Sequence, residues 1–140
     1  MADTFQIEVA TPERLLIQET VTQAQIPAQD GAIGILPEHA PLLSLLGTGE
    51  LTFTGPSGLR RMFISGGWVQ VLQNHVRVLA DRAELSEEID TSRAEEALKR
   101  AQERLALPAT AGVDVARAIN ALHRAEARLA LSRSSRTVTR

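Results

Sequence analysis

The chain reads as two halves with different hydrophobic periods. In the first half apolar and polar residues alternate. Phe5, Ile7 and Val9 share one face of a short strand, with Gln6 and Glu8 opposite. Residues 15–21 are expected to form a second strand, and Ala24 and Ile26 to belong to a third. Leu51 and Phe53 stand two apart, and residues 61–64 suggest another strand. Residues 68–72 and 76–80 suggest a pair joined by a turn at Gln73-Asn74. Turn residues recur at 29–31, Pro37, Pro41, 47–49 and 55–58. Pro12, Pro27, Pro37, Pro41 and Pro56 rule out a long helix in this half. Gly66-Gly67 beside Trp68 points to a bulge or to tight packing. Many short strands at regular spacing predict a sandwich or a barrel.

Near residue 85 the period changes from two to that of a helix. Ala94, Ala97, Leu98, Ala101 and Leu105 recur at helical spacing. Asp90 or Thr91 is placed to cap the start, and Ser92 with Glu95 offers a capping box. Glu95–Lys99 and Glu96–Arg100 are i,i+4 pairs in the favourable order. Residues 108–112, from a proline to a glycine, break the helix, and Asp114 caps a second one. Val115, Ala118, Ile119, Leu122, Ala125 and Leu129 make its apolar face. A short connection makes two helices antiparallel neighbours. Residues 132–140 show no periodicity and are expected to fray. The seam between the helices is rich in alanine, so the hairpin buries little apolar surface for its length and is expected to need a partner. These periods divide the chain into 1–85 and 86–140.

Composition narrows the picture. Of 140 residues, 44% are hydrophobic but only 3% aromatic, so the core is aliphatic. There is no cysteine, which excludes disulfides and thiol chemistry and fits a reducing compartment. No apolar run approaches the roughly 18 residues of a membrane span, and residues 1–10 lack the features of a secretory signal. The net charge of −2 conceals a gradient. Residues 1–84 hold nine acids and five bases, residues 85–112 six and four, and residues 113–140 two acids and six arginines. The last segment is therefore +4, a charge suited to an anionic partner or to a solvated helix face.

Residues for catalysis are not assembled. His39, His75 and His123 lie far apart in the chain with no metal-ligand spacing. Ser44 has no nucleophile elbow around it. The segment 31–34 contains two glycines but lacks the Lys and Ser/Thr of a phosphate loop. Net negative charge without aromatic interleaving argues against nucleic-acid binding. The arginines are more informative. Arg93 and Arg100 are seven apart on the first helix, and Arg124 and Arg128 four apart on the second. In an antiparallel hairpin these faces either converge into an anion site, with Asp90 and Glu84 near, or remain solvated charges.

Four segments carry a family resemblance. Residues 31–43, GAIGILPEHAPLL, resemble the glycine–proline–histidine loop of the epsilon subunits of F-type ATP synthases. Residues 63–71, FISGGWVQV, resemble that family's strand with paired glycines, and 76–81, VRVLAD, its last strand. Residues 89–94, IDTSRA, match the family's I/L-D-x-x-R-A motif at the start of the first C-terminal helix. The resemblance runs from about Phe5 to about Leu131. It implies an α+β protein, an N-terminal antiparallel β-sandwich followed by a C-terminal antiparallel two-helix hairpin.

The resemblance further implies a non-catalytic subunit of the central stalk, or rotor, of the proton-translocating ATP synthase. Such a subunit couples ion flow to ATP synthesis, and its hairpin restrains ATP hydrolysis when extended. The implied partners are the gamma subunit, at His39 and Pro41, and the ring of c-subunits, at Gln29, Asp30, Gly31 and Ala32. With the hairpin extended, an acidic loop of the beta subunit is implied to meet Arg117, Arg124 and Arg128. No nucleic acid, metal or required cofactor is implied. A regulatory ATP on the folded hairpin is implied at Asp90, Arg93 and Ala94 by the motif, at Glu84 and Arg100 by position, and at Arg124 and Arg128 on the second helix. An ATP-sensing binding protein is the second functional reading. The implied location is peripheral, at the cytoplasmic face of a bacterial inner membrane, without membrane insertion.

Overall fold

A computed structural model describes residues 3–138, with side chains as far as Arg133. The chain divides into two compact units, 1–85 and 86–140.

The first unit holds eight strands: β1 (Phe5–Ala10), β2 (Leu15–Val21), β3 (Gln23–Ala28), β4 (Gly31–Ile35), β5 (Leu42–Leu45), β6 (Thr48–Gly55), β7 (Gly58–Leu72) and β8 (His75–Leu85). They are hydrogen-bonded in the order β2-β1-β8-β7-β6-β3-β4, with β5 also on β7. All the pairs are antiparallel except β1–β8, which is parallel. The expected antiparallel β-sandwich is thus present, with β1–β8 as its one parallel pair. β1 enters the sheet beside β8, a strand distant in sequence, so no hairpin turn constrains their direction.

One long strand replaces the two short ones expected at 61–64 and 68–72. β7 runs unbroken for 15 residues. β6 covers residues 58–65 of one edge and β5 covers 68–71, while β8 pairs along the other edge. β7 and β8 thereby serve both layers of a β-sandwich. The layers are joined again at β2: Arg60 Nη1 lies 3.1 Å from Glu19 Oε1, and Thr22 N–H donates to Thr54 O at 2.9 Å. Ile7, Val9, Val21, Ile26, Leu51, Phe53, Met62, Ile64, Val69 and Val78 fill the space between, all of them fully buried. Every one is an inward position of an alternating strand.

The register on β8 is continuous through Gly66-Gly67, so the pair makes close packing and not a bulge. Both have positive φ, +72° and +105°. A Cβ on Gly67 would lie 2.0 Å from Leu79 O. The turn Gln73-Asn74 has φ of +50° and +59°, as a tight two-residue hairpin requires.

The second unit opens with a 3-10 turn at Ser86–Glu88 and holds α1 (Thr91–Ala106) and α2 (Val115–Val138). Asp90 caps α1, accepting from Arg93 N–H at 3.1 Å, and Asp114 caps α2, accepting from Arg117 N–H at 3.1 Å. Between them Pro108 starts a 3-10 turn that ends at Gly112, φ +73°. The helices pack on each other through Ala94 and Ala101 against Ala118, Ala125 and Leu129.

Two sequence expectations change here. Val115 and Ile119 are exposed and lie off the apolar face. Thr91 bonds Ser132 at 2.9 Å, which sets the antiparallel register. Counting from that pair, α1 ends before it reaches Val115. Residues 132–138 continue α2. Ser132 is buried against the start of α1, where it bonds Thr91. Thr139 and Arg140, the end of the expected frayed tail, lie outside the described residues.

Candidate functional site

The outer face of the sandwich bears an apolar stripe that runs across strands. Val69 and Val71 face the core, so Trp68, Gln70 and Leu72 face outward. Trp68 pairs with Leu79 on β8 and with Leu45 on β5. Leu79 pairs with Ala10 on β1, and Ala10 with Leu15 on β2. Leu45, Trp68, Leu79 and Leu15 are 41%, 50%, 55% and 54% exposed. Four large apolar side chains aligned across five strands mark an interaction surface, since scattered exposed leucines are ordinary and contiguous ones are not.

β5 ties the two loop segments singled out above to this stripe. At one end, Gln29 N–H donates to Leu45 O at 2.9 Å, so the exposed turn Gln29–Ala32 stands beside the stripe. Gly31, with φ +130°, lets that turn enter β4. At the other end lie His39 and Pro41, just before Leu42. Their turn is held by His39 N–H to Leu36 O at 3.2 Å and by Glu38 N–H to Asn74 Oδ1. Glu38 adopts φ +64°, a conformation that glycine occupies at less cost.

On the other sheet, a groove of about 520 Å³ is lined by Gln23, Gln25, Thr52, Thr54 and Arg61, with Leu36 and Leu59 at its margins. Arg61 is paired with Glu50 there.

The hairpin carries six of the seven residues assigned to nucleotide. Asp90 is engaged as the cap of α1, with Arg93 and the buried Ala94 in the first turn and Arg100 two turns on. Arg93 and Arg100 are exposed, and Arg124 and Arg128 on α2 are half-buried. Glu84 belongs to the first unit, where it pairs with Phe63. Arg117 is exposed near the tip of the hairpin. With Arg104, Leu107, Val113, Asp114 and Ala118 it lines a groove of about 390 Å³. Among the described residues no group of three or more His, Asp or Glu side chains gathers as metal ligands would. No helix among them is long and apolar enough to cross a membrane.

Residues 4–86 match the family model of the ATP synthase delta/epsilon chain β-sandwich domain, and residues 87–133 that of its long α-helix domain. The chain belongs to the ATP synthase delta/epsilon chain family. An ATP synthase epsilon chain of Solibacter usitatus is 55% identical over 109 residues, 78% of this chain and 81% of that one. One from Koribacter versatilis is 45% identical over 105 residues, 75% of this chain and 74% of its own length. A chain in the Euglena gracilis mitochondrial ATP synthase, solved as OSCP/F1/c-ring in rotational state 1, shares the fold. Its TM-score is 0.79 at 23% identity, over 98% of this chain and 83% of that chain.

Sequence reasoning missed the stripe. Its signal was present in outward strand positions occupied by Trp68, Leu72 and Leu79 where alternation calls for polar residues. Only the strand order shows that these positions align.

Proposed function

We propose that this chain is a non-catalytic subunit of the central stalk of a proton-translocating ATP synthase. It docks on the gamma subunit through the Leu45–Trp68–Leu79 stripe and couples ion flow to ATP synthesis. The observation that carries this reading is the stripe itself, an aligned apolar surface on a chain of the delta/epsilon family. His39 and Pro41 border the gamma contact. Gln29, Asp30, Gly31 and Ala32 form an exposed turn suited to the loops of the c-ring. The complex works at the cytoplasmic face of a bacterial inner membrane, with this chain peripheral to it. Substituting Trp68→Asp places a charge in the middle of the stripe. Co-purification with the gamma subunit is expected to be lost while the melting temperature is kept. Retention of gamma by that variant would refute the assignment.

The hairpin is the regulatory part in this reading. Its alanine-rich seam makes shallow contacts, which suits a pair of helices that separate and extend. When extended it restrains ATP hydrolysis, with Arg117, Arg124 and Arg128 meeting an acidic loop of the beta subunit by charge complementarity.

A second reading, that the folded hairpin senses ATP, is favoured by the segment Ile89–Ala94 at the start of α1. Asp90 fixes the first turn, and Arg93 and Arg100 present exposed cations on that helix. The proposed set also includes Arg124 and Arg128 on α2, and Glu84 by its position in the sequence. ATP bound only to the folded hairpin would shift the population toward it. Calorimetric titration of the full chain with ATP tests this: saturable heat that disappears in Arg93→Ala supports it, and no heat at millimolar ATP refutes it.

A further inference from the structure

The polar pocket beside the stripe has chemistry that an apolar contact does not use. Outward pairs follow one another along β7 and β8: Trp68 with Leu79, then Gln70 with Arg77, then Leu72 with His75. Successive outward residues on a strand are about 7 Å apart, so the polar pair lies one side chain away from the stripe. A cavity of about 270 Å³ opens here, lined by Gln70, Leu72, Gln73, His75 and Arg77. A guanidinium, an imidazole and two primary amides thus share a small space with an apolar wall.

Glu8 on β1 backs this group. Its Oε2 lies 3.6 Å from Arg77 Nε, and its Oε1 lies 3.6 Å from His75 Nε2 and accepts from Gln18 Nε2 at 3.3 Å. The Arg77 contact is to Nε and longer than a hydrogen bond, and the side chain is 55% exposed. The two terminal nitrogens of a guanidinium can still bind a carboxylate bidentately, end-on. His75 Nε2 is shielded from solvent and makes no hydrogen bond.

We infer that the pocket receives a carboxylate side chain of the protein docked on the stripe, held by Arg77 and flanked by the Gln70 and Gln73 amides. This rests on the reading of the stripe as the docking face. The occupant is an acidic residue within an apolar segment, because Trp68 and Leu79 on one side and Leu72 on the other leave one cationic position between apolar ones. Complementarity of this kind selects register and speeds encounter.

The test measures binding of the full chain to the gamma subunit of its own complex by surface plasmon resonance, at low salt and at about 0.3 M salt, where exposed charges are largely screened. Arg77→Gln is expected to weaken binding about 10-fold and Arg77→Glu about 50-fold at low salt. The gap should narrow at high salt, and the melting temperatures should stay unchanged. Binding by Arg77→Glu within twofold of the parent, with Trp68→Asp abolishing it, would overturn the pocket and leave the docking face standing. Normal binding by Trp68→Asp would overturn both.

Discussion

Gly67→Ala tests the account of the central strand pair quantitatively. Gly67 sits at φ +105°, where an L side chain costs about 1–2 kcal/mol. The added Cβ would also fall 2.0 Å from the Leu79 carbonyl oxygen and 2.9 Å from the Ala80 Cα, both backbone atoms in the ladder. Relief requires β7 and β8 to part, which weakens pairs on both sides of Gly67. Overpacking of this sort costs about 1–3 kcal/mol, so the total is about 2–5 kcal/mol. Gly66→Ala provides the internal comparison. Its φ is +72°, and its Cβ would meet Asp81 Oδ2 at 2.6 Å, the end of a side chain that can rotate away. That change should cost mainly the backbone term, about 1–2 kcal/mol. Urea unfolding of the two variants, followed by circular dichroism, measures the difference. Equal stability of Gly67→Ala and the parent, or a larger loss for Gly66→Ala, would refute the close-approach argument. The result bears on function because this contact sets Trp68 opposite Leu79.

Other consequences are smaller but independent. Glu38→Gly should stabilise the first unit by about 1 kcal/mol, since it relieves a left-handed backbone at no loss of the Asn74 bond; thermal melting checks it. Asp90→Ala should cost α1 about 1 kcal/mol through loss of its cap, seen as faster amide exchange in residues 91–95 while the sandwich is unchanged. Arg60→Ala should cost about 1 kcal/mol, because Glu19 Oε1 loses its half-buried partner; a urea midpoint unchanged from the parent would show that this bridge contributes nothing.

Alternation exposed the strands that have one wet face. β1 and β3 could be read from Phe5, Ile7, Val9, Ala24 and Ile26, because burial of every second residue follows from the pleat. β4 and β5 did not stand out. Gly31, Gly34 and Pro41 look like turn residues, and these strands are held by pairing with neighbours distant in sequence. The sequence suggests two pieces for β7 because glycines usually interrupt a strand. Here they keep it continuous by letting another backbone come close. Both helix caps were legible, since an Asp three residues before the N–H it accepts from is a local signal. The helical stretch after Ser132 was not legible, because what anchors it is Thr91, 41 positions away. The functional surfaces divide in the same manner. Loop residues such as Gln29 and His39 are named by a local motif, whereas the stripe and the Arg77 pocket exist only once five strands are laid side by side.

The central claim is that the sandwich is the docking body and the hairpin a removable regulator. A chain ending at Leu85, reconstituted with the remaining subunits of its complex, tests that claim directly. Binding to gamma and proton-coupled ATP synthesis should be retained, and ATP hydrolysis should rise or stay equal. Failure of that truncated chain to assemble with gamma would contradict the account.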